Sequence, residues 1–435
     1  MAEKEKIDTL IFRTRLKPNK TQESLLWRNC AGYRWVYNYM LAIQKERYEE
    51  FSAAKEAWEK ENPDGGKFKT PDDLKPHSPY DLKKLLPVLK TDEPTEWLKE
   101  LDSQILQDAV LNFGKTWQRF LQRSKTGSGF PKFRNRDKHN YMARSNGARQ
   151  GVCPQTVKGR HVKIAKIGNV KMYEEVVIKN RPDAHLIDLT RPSGYIISRK
   201  ANHWWISIRY QAPHLAPEKR TGAQVGIDMG VAKWATLSNG QQYGREKSIE
   251  ARLSRLLDRK DFYYRQLARR PKQKDEEGKA FSGTNREKTK KKLAKVWAKI
   301  AEIRRNYSHH ASKELSRQFA KIALEDLNIQ KMVKSAKGTK ENPGTGVKEK
   351  TRLNRSISQQ NWYQFRSMLE YKMERTGGEL AFVNPKDTSR MCSKCGHVDE
   401  ENRPDQATFL CKKCGFKENA DLNAAINICK LAFGG

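Results

Sequence analysis

The sequence predicts a multidomain α+β protein: a small β-barrel interrupted by a helical bundle, then an α/β unit that carries a metal-binding module. Three observations predict it. Short segments such as DTLIFRTRL (8–16) and NHWWISIRYQ (202–211) alternate apolar and polar residues, as half-buried strands do. Longer segments repeat apolar residues every three or four positions, the period of an amphipathic helix. Near the C-terminus two Cys-x-x-Cys knuckles, Cys392/Cys395 and Cys411/Cys414, are separated by 15 residues (396 to 410). Four thiolates at that spacing form a tetrahedral zinc site.

The elements follow in order. Leu10, Phe12, Thr14 and Leu16 mark the first strand, and Pro18-Asn19 breaks it and opens a helix. Leu26, Cys30, Tyr33, Tyr37, Met40 and Leu41 form its apolar stripe, with Arg28, Arg34 and Asn38 outside it. Residues 49–75 are rich in Glu, Lys and Gly and read as loop or loose helix. Ser78-Pro79 starts another helix. Residues 96–121 carry a strong helical stripe through Leu106, Val110, Phe113, Trp117 and Phe120. Residues 20–121 thus read as a helical bundle, a candidate inserted recognition unit. The chain turns basic, with glycine and aromatics, at SKTGSGFPKFRNR (124–136). HVKIAKIGNVKM (161–172), EEVVIK (174–179), HLIDLT (185–190) and GYIISRK (194–200) then read as short strands of a barrel that the first strand completes. Their basic and aromatic residues suit backbone binding and base stacking, and equally an ordinary core with surface lysines.

In the second half, AQVGIDMG (223–230) is an apolar strand ending in Asp228, and VAKWATL (231–237) is its hairpin partner. Amphipathic helices over 249–270 and 291–317 flank a linker at 271–290. FAKIALEDL (319–327) is a buried strand ending in Glu325. Residues 331–355, rich in Lys, Gly and Asn, are expected to be mobile. A helix over 360–375, a strand over 379–383, the cysteine module and a final helix with the stripe Leu422, Ala425, Ile426 and Cys429 close the chain.

Composition narrows the partners. The 435 residues include 86 Lys and Arg against 51 Asp and Glu, a net charge of +35. Such an excess repels itself unless a polyanion neutralises it. No apolar run approaches the roughly 18 residues a membrane span requires, and MAEKEKIDTLIF lacks the apolar core of a signal peptide. Nucleic acid inside the cell is the polyanion that remains. Of seven cysteines only Cys30, Cys153 and Cys429 lie outside the knuckles, which suits a reducing compartment rather than a disulfide framework.

Three carboxylates stand out: Asp228 and Glu325 at strand ends, and Asp421 at a helix start. Singly, each has an ordinary reading, as turn closure, salt bridge and N-cap. Together, in so basic a chain, they suit two Mg2+ ions about 3.5–4 Å apart, one activating water and one stabilising a leaving oxygen in phosphodiester cleavage.

These residues carry a family resemblance. GIDMG around Asp228, LEDLN around Glu325 and ADLNAAINI around Asp421 resemble the three motifs of a RuvC-type, RNase H-like nuclease. With LKPNKTQ, RWVYNYML, GFPKFRNR, KIGNVKM, YSHHASKEL, ISQQNWYQF, NPKDTSRMCSKCGH and ENRPDQATFLCKKCGFKENADLNAA, nearly the whole chain resembles the TnpB family of insertion-sequence proteins, relatives of type V CRISPR effectors. The resemblance implies catalytic Asp228, Glu325 and Asp421 holding two Mg2+, and Cys392, Cys395, Cys411 and Cys414 holding a structural zinc. It implies a wedge β-barrel (1–19 and 125–220) interrupted by a helical recognition domain (20–124). A RuvC-like domain (221–385) with a lid loop at 331–355, a zinc-bearing target-nucleic-acid-binding module (386–416) and a final RuvC helix (417–435) complete the layout. The implied activity is RNA-guided cleavage of double-stranded DNA beside a short flanking motif. The implied partners are a guide RNA and target DNA with no membrane, one protein copy per guide being favoured, in the prokaryotic cytoplasm at the nucleoid. Competing readings are a miniature type V CRISPR effector, an RNA-guided DNA-binding regulator without cleavage, and a DNA-joining transposase. Tyr33, Arg34 and Asn38 resemble a recurring feature of the first recognition helix, with packing and nucleic-acid contact both open. Arg390 is either a contact to the scissile strand or a surface arginine.

Overall fold

In the computed structural model, the described residues are 7–63, 65–123, 127–136, 139–145, 156–178, 184–214, 220–271, 273–274, 280–339 and 342–434. They form two units, Met1–His214 and Leu215–Gly435.

In the first unit, β1 (Ile7–Lys17) buries Leu10, Thr14 and Leu16 and exposes Ile11 and Arg13. Asn19 then caps α1 (Lys20–Glu61). Its Oδ1 accepts from the Gln22 N–H (2.8 Å), and Gln22 Oε1 accepts from the Asn19 N–H (3.1 Å), a capping box. The whole expected stripe of α1 is buried. The helix does not loosen at residue 49; it continues to Glu61. YEEFSAAKEAWEKE is rich in helix formers, and Lys45–Glu49 and Lys55–Glu59 pair one turn apart. Ser78 caps α2 (Pro79–Leu89) by accepting from the Asp81 N–H. The single helix expected over 96–121 is split. Glu93–Glu100 forms a 3-10 helix, and Asp102 starts α3 (Ser103–Leu121) afresh by accepting from the Gln104 N–H (2.9 Å).

The remaining strands are β2 (Tyr141–Ser145), β3 (Val157–Lys158), β4 (His161–Ile164), β5 (Gly168–Met172), β6 (Gly194–Lys200) and β7 (His203–Pro213). With β1 they form a seven-stranded antiparallel sheet in the order β2-β6-β7-β1-β5-β4-β3. β1 pairs with β7 from Ile7↔Pro213 to Leu16↔Trp204, so the first strand docks on strands made after the helical excursion. Strands expected at EEVVIK and HLIDLT are not found among the described residues. In the second, the Asp188 carboxylate accepts from the Thr190 N–H (2.9 Å), a local turn that competes with a sheet ladder. In the first, consecutive exposed Glu174 and Glu175 disfavour a strand.

A buried ion pair joins the helices to the sheet. Arg144 Nε of β2 lies 2.5 Å from Asp102 Oδ2, with each side chain only 9% exposed. Replacing Arg144 by Met leaves the Asp102 charge buried and unpaired. We expect a loss of about 3–5 kcal/mol, read as a shifted denaturant midpoint in tryptophan fluorescence, with much of the loss recovered by adding Asp102→Asn.

The second unit is built on a five-stranded sheet, β10-β9-β8-β13-β14. β8 (Gln224–Asp228), β13 (Lys321–Glu325) and β14 (Glu379–Val383) are parallel; β9 (Ala235–Leu237) and β10 (Gln242–Tyr243) are antiparallel additions. The expected partner strand at 231–237 narrows to 235–237. Two-residue strands β11 (Gln273–Lys274) and β12 (Ala280–Phe281) pair, as do β15 (Thr408–Leu410) and β16 (Lys417–Asn419). The helices are α4 (Lys247–Ala268), α5 (Thr284–Gln318), α6 (Ile329–Met332), α7 (Val347–Gln360), α8 (Trp362–Thr376) and α9 (Ala420–Phe433). Helix α5 thus begins at 284 rather than 291. The segment 331–355 is not all irregular either, since its last nine residues are the start of α7. Leu353 and Ile357 give that stretch a helical apolar spacing, and Asn361, at φ 64°, divides α7 from α8.

Strand parity decides what faces what. Val225, Ile227, Ile322 and Leu324 pack with α5 (Ala311, Leu315) and α8 (Phe365, Leu369, Met373). Ala323 and Val383 pack with Ile428 of α9 on the other face. There a Cβ on Gly226 would lie 2.2 Å from the Ala425 carbonyl oxygen and 2.5 Å from the Cys429 nitrogen. Only glycine permits α9 to lie so close to β8.

Candidate active site and metal centre

Asp228 and Glu325 end adjacent parallel strands. The register places Ile227 opposite Leu324, so the next step brings Asp228 beside Glu325. Parity turns both toward the face that α9 covers. The carboxyl ends of parallel strands are where open α/β sheets bind ligands. Asp421 enters from the first turn of α9. It is not the N-cap: the Asn419 carboxamide oxygen takes that role, accepting from the Asp421 and Leu422 N–H groups at 3.1 Å each. The Asp421 carboxylate is therefore free for other work, at a helix end that favours negative charge. All three carboxylates are half-buried.

They interact electrostatically. Burial first, then the Glu325 and Asp421 charges, push the Asp228 carboxyl up to about 7, against the pull of Arg403. Burial also raises Glu325, opposed by a hydrogen bond from the Thr388 hydroxyl (2.5 Å). Arg403 Nη2 lies 3.8 Å from Asp421 Oδ1. An all-oxygen set of mutually repelling carboxylates fits hard divalent cations. A carboxyl raised in the folded state stabilises that state fully below its unfolded pKa, and the contribution is lost as pH climbs through 7. For Asp228 this is about 4 kcal/mol. We expect the metal-free protein to be less stable at pH 8 than at pH 5.5, and Mg2+ to raise the unfolding temperature mainly at pH 8, in melts with EDTA or Mg2+.

The four knuckle cysteines form the one group of three or more His, Cys, Asp or Glu side chains, among the described residues, close enough to hold a single metal ion. Sγ–Sγ separations are 3.7 Å for Cys392–Cys414 and 3.6 Å for Cys395–Cys411. Tetrahedral ligands about 2.3 Å from a zinc ion would be about 3.8 Å apart, whereas bonded sulfurs would be about 2.05 Å apart. The knuckles repeat one geometry. Cys392 and Cys411 N–H groups donate to the His397 and Phe416 carbonyls. Gly396 and Gly415 N–H groups donate back to Cys392 and Cys411, with φ of 75° and 69°. Those positive φ values are why glycine follows each knuckle.

Other expected residues fall elsewhere. Tyr33 is in the core of the first unit, 1% exposed, tilted against Tyr141. Asn38 clamps the backbone of Arg134, donating to its carbonyl (2.9 Å) while accepting from its N–H (2.8 Å). Arg34 donates to the His139 carbonyl (3.4 Å). Asn38 thus holds the GFPKFRNR stretch, and Arg34 the backbone just after it, against α1. Arg390 pairs with Glu400 at 2.5 Å. Cys30 is buried, its thiol pushed up to about 12 by burial, and Cys153 lies outside the described residues. Of the stripe assigned to α9 only Ala425 is buried; Leu422, Ile426 and Cys429 are partly exposed, and Asn423, Ala424, Asn427 and Ile428 are buried instead.

Sequence reasoning missed Arg403, Thr388, Asn402, Asn423 and Asn427. Asn402, 0% exposed, donates to the Arg390 and His397 carbonyls and accepts from the Lys412 N–H, tying one knuckle to the other. The one available signal was the spacing of Asn423 and Asn427, which puts two amides on one helix face. ENRPDQ carries no comparable signal for Arg403.

Three family models match: "Helix-turn-helix domain" over residues 9–52, "Probable transposase" over 207–336 and "Cas12f1-like, TNB domain" over 362–428. The first of these stretches folds here as β1 followed by the start of the unbroken α1. The chain is 31% identical over 422 residues to "Putative RNA-guided DNA endonuclease InsQ" of Escherichia coli strain K12, covering 96% of this chain and 90% of that protein. It is 29% identical over 187 residues to TnpB-like protein aq_aa05 of Aquifex aeolicus strain VF5, covering 42% of this chain and 55% of that one. Its fold matches the cryo-EM structure of the Cas12f1–sgRNA–target DNA complex with a TM-score of 0.50 at 12% identity, over 98% of this chain and 99% of that one. The fold is that of a multidomain mixed α/β protein, with the Cas12f1 structure among those it resembles. The chain belongs to the TnpB family.

Proposed function

We propose that this protein is an RNA-guided DNA endonuclease whose second unit is a RuvC-type, RNase H-like nuclease using two Mg2+ ions. The observation that carries the reading is Asp228 and Glu325 on adjacent parallel strand ends, turned toward the helix that presents Asp421. The 31% identity to InsQ across almost the whole chain supports the guided activity. Asp228, Glu325 and Asp421 would hold the Mg2+, which when bound supplies water activation and stabilisation of the leaving oxygen in phosphodiester hydrolysis. Asn419 leaves the Asp421 carboxylate uncapped, and Arg403 offsets part of the local negative charge. The four thiolates would hold a structural zinc, since four protein ligands leave no open position. The seven-stranded sheet would be the wedge barrel and α1–α3 the recognition helices. The net charge of +35 suits the binding of a guide RNA and of a target strand read by base pairing. The protein would act inside a prokaryotic cell, at the nucleoid.

The test is to purify the protein from its native locus and sequence the RNA that accompanies it. That RNA is then reprogrammed against plasmids with randomised flanks. The expected result is one discrete RNA and Mg2+-dependent cleavage beside a fixed short motif. Recovery of no discrete RNA, or cleavage insensitive to the programmed sequence, would overturn the guided reading.

A further inference from the structure

One limb of the chain touches both sides of the acidic site. Residues 388–393 lead from β14 toward the first knuckle. Asn427 Nδ2 donates to the carbonyls of Thr388 (2.9 Å) and Met391 (2.6 Å). Asn423 Nδ2 donates to the Met391 carbonyl (2.8 Å), and Asn423 Oδ1 accepts from the Ser393 N–H (2.9 Å). Lys430 Nζ donates to the Ser393 carbonyl (3.1 Å). Asn423, Asn427 and Lys430 are spaced i, i+4, i+7, one stripe of the helix whose first turn carries Asp421. Both asparagines are essentially inaccessible, at 0% and 1% exposure, so this staple runs through the interior.

At the head of the limb Thr388 is 2% exposed, with its hydroxyl 2.5 Å from Glu325 Oε1 and 3.1 Å from the Pro385 carbonyl oxygen. A hydroxyl has one proton to donate. The nearer acceptor, which carries the charge, is the carboxylate. A glutamate at the end of a strand has three side-chain torsions to order, and backbone pairing orders none of them. Thr388 supplies a fixed point for that side chain.

We propose that Thr388 is a positioning residue for metal binding. Its hydroxyl holds one oxygen of Glu325 and leaves the second for a divalent cation, and the asparagine staple ties that orientation to the helix bearing Asp421. The proposal rests on the metal-dependent nuclease reading above. It also gives the cysteine module a consequence at the acids: the limb that enters the first knuckle is the limb that orients Glu325. Removing partners of this kind, which orient a ligand without binding the metal, lowers metal affinity or activity by about 10- to 100-fold.

Two variants separate orientation from packing. Thr388→Val keeps the buried shape and removes the donor; Thr388→Ser keeps the donor. Mn2+ affinity is measured by titration calorimetry on the full-length, zinc-loaded protein. The half-saturating Mg2+ concentration for cleavage is measured on the guide complex, and zinc content on both. We expect Thr388→Val to weaken Mn2+ binding about tenfold and to raise the Mg2+ requirement similarly, with Thr388→Ser near wild type and zinc unchanged in each. Wild-type Mn2+ affinity in Thr388→Val, equal impairment of the two variants, or zinc loss in Thr388→Val would each overturn the positioning role. A wild-type complex that fails to cleave defeats the functional reading, and the calorimetric comparison still decides Thr388. Absence of Mn2+ binding by the wild-type protein would sink both.

Discussion

Asp228→Asn is expected to lower target cleavage by about 10³-fold or more, while guide-dependent target binding stays within about twofold of wild type. The size follows from the several kcal/mol that a metal site contributes to phosphoryl chemistry, about 1.4 kcal/mol being tenfold in rate. The Asp228 carboxyl is pushed up to about 7 by burial and by the Glu325 and Asp421 charges. The same crowding yields a second expected result of opposite sign. Removing that charge relieves repulsion, so the metal-free variant should melt at higher temperature than wild type at pH 8. Cleavage is measured on a programmed duplex and melting in EDTA. Full cleavage by Asp228→Asn would refute the active-site assignment; a lower metal-free melting temperature would refute the electrostatic account.

Replacing Cys411 and Cys414 together by Ser is expected to abolish zinc binding and to unfold the module between β14 and α9. Structural zinc sites of four ligands contribute about 10–16 kcal/mol of binding free energy near pH 7, which is folding free energy for so small a unit. The module has little else: Cys392, Phe409, Cys411 and Ala420 are its buried core. Its fold also carries Arg403 toward Asp421 and joins Thr388 to Ser393 with α9. Cleavage should therefore fall by about 100-fold, through the acids' surroundings rather than the acids themselves. Zinc content by mass spectrometry and proteolytic nicking between residues 392 and 416 check the first part. Retained zinc in the double variant would mean a different ligand set.

The elements that sequence located well are those where one local rule dominates. The α1 stripe, the parity of β1 and the glycines after each knuckle follow from helix period, strand period and positive φ, and each needs only neighbouring residues. The errors arose where two local rules competed. Residues 49–61 have loop-like composition but contain i,i+4 ion pairs, and the helix wins. HLIDLT has strand composition, but Asp188 closes a turn on Thr190 and the turn wins. At Asp102 a cap restarts a helix that periodicity alone runs together.

The amino-acid sequence by itself determined the four thiolates, the three carboxylates and the charge that calls for a polyanion, because each is a matter of which groups are present and how far apart along the chain. Tertiary structure alone decided what those groups do to one another. It took the cap from Asp421 and gave it to Asn419, placed Tyr33 in a core, and turned Asn38 onto the Arg134 backbone. It also brought Arg403 to Asp421 and Thr388 to Glu325, and set the buried Asn423 and Asn427 against the backbone of residues 388–393, through contacts between residues far apart in the chain. Such contacts leave no periodicity to read, because their partners are chosen by packing: the absent Cβ of Gly226 sets how close α9, which carries Asp421, lies to β8, which ends in Asp228.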